Sequence, residues 1–212
     1  MYIPKHFEEQ HPAELQRLMR EHPLGVLVLH GEHGLDANHI PFELEVEGDA
    51  VRLLAHVARN NPLWREARDG QQALVIFRAG DAYISPNWYP SKHEFHKQVP
   101  TWNYQAVHAH GPLTIRDDEK FVRAVVARLT RDHETRAGEA RPWKMTDSSR
   151  EYIDQMVAAV VGIEIKVERL EGKWKLSQNK EARDRQSAAD ALEARDERLT
   201  AQAMRATLNA QD

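Results

Sequence analysis

Apolar and polar positions alternate with the period of β-strands over much of the N-terminal half of the chain. Strand-like runs cover Leu24–Leu29, Asn38–Val46 and Val51–Val57, and glycine-containing turn signals lie at 31–34 and 47–49. Further runs of this character are Ala73–Phe77, Ala82–Ile84, Trp102–Ile115, Val160–Leu170 and Trp174–Leu176. The Gly111-Pro112 pair predicts a bulge or bend in the longest strand, because proline cannot donate to a ladder. The pattern predicts a small antiparallel barrel.

Helical spacing appears between and after these strands. In Pro12–Glu21, the apolar residues form one helical stripe, which predicts a first helix. Further helices are predicted at Leu63–Arg68, Asp117–Asp132, Ser148–Val157 and Glu181–Leu208. Ser148 and Glu151 have the spacing of a capping box. We therefore predict a mainly β fold of the α+β class with peripheral helices. One domain is expected over 1–180, followed by a helical tail over 181–212 that packs on the body or on a partner subunit.

Composition narrows the possible classes of protein. The 212 residues are 41% hydrophobic and 29% charged, with no cysteine and a formal charge of -4. Disulfide scaffolds, thiolate metal sites and cysteine nucleophiles are excluded, and no global basic field attracts nucleic acid. No apolar run reaches the roughly 18 residues that a membrane span needs. The N-terminus lacks the apolar core of a signal peptide, so we expect a cytoplasmic protein without membrane contact.

Residues 56–61 form the first candidate site. Arg59 and the backbone amides of the helix predicted after it suit a phosphate, because guanidinium groups and helix N-termini both complement an anion. A helix cap with a surface arginine explains the same pattern.

A second candidate combines aromatic rings with polar groups. Asn87, Trp88, Tyr89 and Lys92, together with Trp102 and Tyr104, offer planar surfaces to a flat aromatic ligand. A hydrophobic cluster that covers one end of a barrel explains these residues equally well.

Twelve histidines are unusually many for this length. His93 and His96 lie three positions apart, and His108 and His110 share one predicted strand face, so either pair offers two imidazole ligands. No third ligand is evident and no HExxH spacing occurs, so no metal site is predicted. GxGxxG, GxxxxGK[ST] and GxSxG are absent too, which removes the main support for dinucleotide-binding, P-loop and hydrolase folds.

Several separated segments resemble the PaiB family, FMN-binding-type proteins described as negative transcriptional regulators. They are, in order, Met1–Pro4, His56–Pro62, Tyr83–Tyr89, Val99–Tyr104 and Lys175–Lys180. The resemblance implies an antiparallel FMN-binding split β-barrel, related to the pyridoxamine-phosphate oxidase and flavin reductase group. It also implies a homodimer with two FMN sites at the subunit interface.

The resemblance further implies site residues by position. Asn38 and His39 would lie near the flavin ring, and His56, Arg59 and Asn60 would hold the phosphate. The other expected cofactor contacts are Lys92, Trp102, Asn103, Tyr104, Gln105, Gln178 and Lys180. The wider group commonly has Arg-Lys where this chain has Arg59-Asn60, so one cation is missing; Lys92 would compensate if its loop covers the site. Haem is the alternative ligand for a histidine-rich pocket.

Two functions of different classes follow from the resemblance. In the first, FMN biases a homodimer that represses transcription, although the chain has no clear helix-turn-helix and residues 181–212 carry seven acids against five arginines. In the second, the chain is a flavin or haem reductase or oxidase that takes electrons from a reduced nicotinamide. That chemistry needs no side-chain nucleophile, and no catalytic residue is predicted.

Overall fold

The computed structural model describes residues 1–209 and combines strands and helices, which confirms the α+β class. Its strands are β1 Glu8–Glu9, β2 Leu24–Gly31, β3 Gly34–Pro41, β4 Glu43–Glu47, β5 Ala50–Ala58, β6 Gln72–Ile84, β7 Thr101–Arg116, β8 Val160–Val167 and β9 Arg169–Lys175. Its helices are α1 Pro12–Glu21, α2 Leu63–Glu66, α3 Pro90–Phe95, α4 Glu119–Ala137, α5 Arg150–Ala158, α6 Ala182–Glu193 and α7 Arg198–Asn209. No described helix is long and apolar enough to cross a membrane.

The chain forms two compact units that alternate along the sequence. The sheet unit comprises Met19–Phe77 and His108–Leu170. The terminal unit comprises Met1–Leu18, Arg78–Val107 and, within the described residues, 171–209. The predicted domain boundary between 180 and 181 therefore falls inside the terminal unit, whose members come from three separate parts of the chain.

In the sheet unit, strands pair in the order β3-β2-β6-β7-β8-β5-β4. The predicted strand Asn38–Val46 is wrong, because β3 ends at Pro41 and β4 begins at Glu43. β3 pairs with β2, whereas β4 pairs with β5 at the other end of this order. Pro41 has no N–H to continue a ladder, and the next residue, Phe42, turns into the core with 3% exposure.

Two helices cover part of the sheet unit. α4 packs Val125 and Leu129 against Leu54, and begins where the Asp118 carboxylate accepts a hydrogen bond from the Phe121 N–H at 2.8 Å. α5 is capped one residue later than predicted. The Ser149 hydroxyl accepts from the Tyr152 N–H at 3.2 Å, so the capping box expected at Ser148 is wrong.

Strand lengths also differ from the prediction. Ala73–Phe77 and Ala82–Ile84 belong to one strand, β6, while the run Val160–Leu170 is divided at Glu168 between β8 and β9. β7 continues through Gly111-Pro112. A Cβ at Gly111 would overlap the Lys166 carbonyl oxygen, so this glycine permits the close approach of the two backbones.

In the terminal unit, β1 pairs with β9, which also pairs with β7. The predicted helical tail consists of two helices, α6 and α7, which pack on each other. Asp196 lies between them in a left-handed conformation, with φ of 67°. The helices bury small and apolar side chains, namely Ala188, Ala189, Leu192, Ala201 and Met204. Predicted tail residues 210–212 lie outside the described part.

Candidate functional site

Arg59 directly follows β5 in the sheet unit, and protein groups hold its guanidinium. Nη1 and Nη2 donate to the two carboxylate oxygens of Asp117 at 3.0 and 2.6 Å. Nε donates to the Ala158 carbonyl at 2.7 Å, and Nη2 also donates to the Val160 carbonyl at 3.2 Å. These bonds use four of the five guanidinium N–H groups. A two-pronged grip on a phosphate therefore requires Asp117 to be released first.

His56 lies on β5 opposite Gly162 of β8. Burial lowers the pKa of its imidazole, so the ring is neutral at physiological pH. Its Nδ1 is buried and has no hydrogen-bond partner within residues 1–209. Buried ring nitrogens normally have a hydrogen-bond partner. His56 Nδ1 is therefore a candidate to bind a polar group from outside the chain.

Asn38 on β3 is connected to the predicted phosphate segment. Its Oδ1 accepts from Asn61 Nδ2 at 2.9 Å, and its Nδ2 donates to Asp36 at 2.6 Å. Asn61 in turn accepts from the N–H of Leu63, the first residue of α2, at 2.9 Å. The structure therefore brings Asn38 to residues 56–61, as a structural link. The other predicted residues of the sheet unit, His39 and Asn60, are exposed.

The terminal unit contains a cavity of about 180 Å³. Two of the segments that resemble the PaiB family meet in it, Val99–Tyr104 and Lys175–Lys180. Its lining comprises Phe7, Val99, Pro100, Thr101, Asn103, Lys175, Ser177, Asn179 and Lys180. The volume is below the roughly 300 Å³ of the smallest common small-molecule sites, so it suits a chemical group rather than a whole cofactor. Asn103 and Lys180 are the predicted site residues that the structure places in this cavity.

A buried polar network fixes one side of this cavity, which we call the lysine cavity. Asn103 is fully buried and donates from Nδ2 to Ser177 Oγ at 2.9 Å and to Met204 Sδ at 3.3 Å. The Tyr89 hydroxyl lies 3.3 Å from the same Ser177 oxygen. Burial raises the pKa of Tyr89, which keeps its phenol protonated. Ser177 has φ of 65°, so its backbone is held in an uncommon conformation at this point.

Two ammonium groups face the lysine cavity. Lys175 Nζ donates to Thr101 Oγ1 and to the Trp102 carbonyl oxygen. Burial, with a smaller contribution from the charge of Lys173, lowers the pKa of Lys175. Lys180 Nζ donates to Gln98 Oε1 at 2.6 Å. Neither lysine forms an ion pair with a carboxylate in the described residues.

A hydrogen-bond chain leads from Lys180 to a buried carboxylate. Gln98, the acceptor for Lys180, donates from Nε2 to Ser91 Oγ at 2.8 Å. Ser91 then donates from Oγ and from its backbone N–H to the Asp184 carboxylate at 2.5 and 3.0 Å. Asp184 is 0% exposed, and these two bonds give each of its carboxylate oxygens a donor and join α3 to α6.

The aromatic residues predicted to contact the flavin differ in their surroundings. Trp102 is 55% exposed, and its ring meets the ring of Tyr83 edge-on with centroids 6.0 Å apart. Tyr104 is partly buried, and the Lys173 ammonium lies 5.4 Å from its ring centroid. The Trp102 ring is therefore available to a partner or ligand, whereas the Tyr104 ring already has a cation–π contact with Lys173.

The remaining predicted contacts are polar and partly buried. The Gln178 side chain forms hydrogen bonds with the backbone of nearby residues. It accepts from the Leu176 N–H at 2.8 Å and donates to the Trp174 carbonyl at 2.6 Å. It therefore shapes the backbone that carries the lysine cavity. Gln105 lies on β7 and Lys92 lies on α3, both partly buried.

Sequence reasoning missed Lys175 and Asp184 of the terminal unit as site residues. Lys175 stands two positions after Lys173 on β9, a spacing that places strand residues on one face and was a usable signal. Asp184 stands four residues before Ala188 and eight before Leu192, on the buried stripe of α6. An acid on an apolar helical stripe was the available sign of a buried carboxylate.

Comparison with known proteins identifies the family. Residues 1–169 match the FMN_bind_2 family model, described as "Putative FMN-binding domain". The chain is 30% identical over 193 residues to protease synthase and sporulation protein PAI 2 of Bacillus subtilis, covering 91% of this chain and 89% of that protein. It is 37% identical over 161 residues to the uncharacterized protein YKL070W of Saccharomyces cerevisiae, covering 66% of this chain and 94% of that one.

Solved structures agree on the fold. The FAD and haem binding protein of Mycobacterium smegmatis superposes with a TM-score of 0.55 at 19% identity, covering 84% of this chain and 78% of that one. The flavocytochrome Anf3 of Azotobacter vinelandii gives 0.56 at 12% identity, covering 82% and 72%. Identities this low establish the fold alone, which is the expected split β-barrel. The chain therefore belongs to the FMN_bind_2 family of split β-barrel proteins, and its resemblance to PaiB is confirmed.

Proposed function

We propose that this chain binds FMN as a homodimer and acts as a ligand-responsive negative regulator of transcription in the cytoplasm. The observation that carries the cofactor proposal is the buried Nδ1 of His56, which has no partner in the described residues. His56 lies inside residues 1–169, which match the family described as FMN-binding. A polar edge of a flavin would supply the missing hydrogen bond.

Arg59 is the proposed contact to the FMN phosphate in the sheet unit. Its guanidinium carries the right charge, but it is bound to Asp117. The pair is 36% and 45% exposed, so solvent weakens its attraction and breaking it has a small cost. A phosphate dianion that accepts two charge-assisted hydrogen bonds would offset that cost. Haem remains the alternative occupant.

Exposed apolar residues of the terminal unit support the homodimer proposal. Trp102, Val99 and Tyr83 are 55%, 70% and 46% exposed. Large exposed apolar side chains close to one another mark interaction surfaces more often than they mark free surface. A second copy of the chain is the partner that the family resemblance predicts, with cofactor sites at the subunit interface.

A flavin-dependent oxidoreductase is the second candidate, and the charges of the C-terminal helices favour it. Arg183 pairs with Glu94 at 2.5 Å, and Arg205 pairs with Asp190 at 2.9 Å and with Glu193 at 3.1 Å. Residues 181–212 carry seven acids against five arginines, so this segment has no net positive charge to attract a DNA backbone. When bound, FMN would supply the electron transfer, and the chain would orient the ring.

FMN titration of the purified chain, followed by flavin absorbance, tests the cofactor proposal. We expect His56→Leu to weaken FMN binding by about tenfold, the equivalent of one lost hydrogen bond in a buried site. His133→Leu, which changes an exposed histidine on α4, is the matched control. Equal affinities of these two variants would refute the role of His56.

Two assays then separate the regulator from the oxidoreductase. We expect a regulator to bind duplex DNA with a salt-dependent, sequence-specific component that FMN alters. An oxidoreductase would instead bleach its flavin spectrum with reduced nicotinamide and recover it with an acceptor. If DNA binding has no such component, direct repression is refuted.

A further inference from the structure

The lysine cavity has more positive charge than its lining residues neutralise. Lys175 and Lys180 contribute two ammonium groups, and no Asp or Glu is among the lining residues. Lys173, which is 9% exposed, lies close enough for its charge to act on Lys175. Lys175 and Lys180 are partly buried cations without a carboxylate partner in the described residues, which favours an anion from outside the chain.

The nearest buried carboxylate does not provide that balance directly. Asp184 takes its hydrogen bonds from Ser91, and Lys180 reaches it only through Gln98 and Ser91. This relay orients Lys180 Nζ without pairing it. Lys180 is therefore positioned in advance, which lowers the entropic cost of binding an anion.

Hydrogen-bond donors remain for such an anion. An ammonium group has three N–H donors. In the described residues, Lys175 uses two of them, on Thr101 and Trp102, and Lys180 uses one, on Gln98. The exposed Asn179 side chain also lines the cavity. Three ammonium N–H groups and one amide thus remain to donate to acceptor oxygens.

The size and charge of the cavity select the chemical class of ligand. Lysines act as point charges, whereas planar carboxylates are best matched by the fork of an arginine, and no arginine lines this cavity. Two ammonium groups match a dianion. We propose that the lysine cavity binds the phosphate group of a phosphomonoester, a site separate from the Arg59 segment.

Two sources can supply this chemistry: the phosphate of FMN itself, or the phosphate of a separate small metabolite. Lys175–Lys180 lies beyond the residues that match the family model. A phosphate site in the lysine cavity does not require FMN to bind. The phosphate proposal and the FMN proposal can therefore fail independently. If FMN is the source, the lysine cavity replaces Arg59 as the phosphate contact of the proposed function.

Equilibrium dialysis of the full chain with labelled inorganic phosphate tests the proposal, with FMN occupancy read from absorbance in the same samples. We expect Lys180→Gln and Lys175→Gln each to weaken binding of phosphate, of FMN, or of both by about tenfold, as for one lost charge-assisted contact. Lys97→Gln removes an exposed lysine nearby and is the matched control. Circular dichroism checks that each variant is folded, and Lys180→Gln, which leaves the Thr101 and Trp102 contacts intact, is the less disruptive one.

The two sources give different binding patterns. If FMN displaces inorganic phosphate and riboflavin does not, the cavity holds the phosphate of FMN. If phosphate and FMN bind together, the cavity serves a separate phosphorylated ligand. Both patterns support a phosphate site. If neither lysine variant differs from Lys97→Gln in phosphate or FMN affinity, the proposal is wrong, while FMN binding through the sheet unit is unaffected.

Discussion

Removing the Asp184 carboxylate should substantially destabilise the terminal unit. Asp184→Ala leaves the Ser91 N–H and hydroxyl without their acceptor, and both residues are almost fully buried, at 0% and 2% exposure. An unsatisfied buried donor costs about 1 to 3 kcal/mol. Ser91 Oγ still accepts a hydrogen bond from Gln98, but that bond offers no acceptor to the Ser91 hydroxyl hydrogen. We expect the free energy of unfolding to fall by about 2 to 5 kcal/mol.

Urea denaturation followed by circular dichroism measures this change, and Asp190→Ala is the matched control on the same helix. Asp190 pairs with Arg205, but it is 57% exposed, so its loss should cost about 1 kcal/mol or less. Asp184→Asn keeps one acceptor oxygen and should lose about half as much as Asp184→Ala. If the two alanine variants lie within about 1 kcal/mol of each other, the buried acceptor role of Asp184 is refuted.

Three further changes test other parts of the structure. Burial raises the pKa of Glu43 above its ordinary 4.5, so its ionisation opposes folding as pH rises through that higher pKa. Glu43→Gln should be more stable than the wild type at neutral pH by about 0.5 kcal/mol and equal to it below pH 4.5, and equal urea midpoints at neutral pH would contradict this. Asp117→Asn should tighten FMN binding several-fold by freeing N–H groups of Arg59, and an unchanged dissociation constant would place the phosphate elsewhere. Gly111→Ala should cost about 3 kcal/mol in thermal or urea unfolding, because its Cβ overlaps the Lys166 carbonyl, and a loss below about 1 kcal/mol would contradict that packing.

Local patterns predicted the secondary elements well and their arrangement less well. Periodicity places α1 at Pro12–Glu21, where the structure has it, because helix signals act within a few residues. It could not reveal that the chain leaves one strand at Pro41 and starts another at Glu43 with a different partner. Strand pairing depends on contacts between distant residues, which a local window does not contain.

The same distinction applies to the candidate site. Asn103 was predicted through the family resemblance, but its partner Ser177 lies 74 residues away, and no spacing rule joins them. The sequence also did not reveal Asp117 as the partner of Arg59, although it accepts two of the five guanidinium N–H groups from 58 residues away. Residue type therefore predicted which groups could bind an anion, while only the fold determines which of them are already paired.

FMN titration of the purified full chain, with the near-ultraviolet and visible absorbance spectrum recorded throughout, tests the central claim most directly. We expect a bound flavin spectrum that saturates at one FMN per chain in a dimer, with weaker binding in His56→Leu than in His133→Leu. If FMN does not bind and haem instead produces a sharp Soret band, the chain is a haem protein and the FMN proposal is wrong.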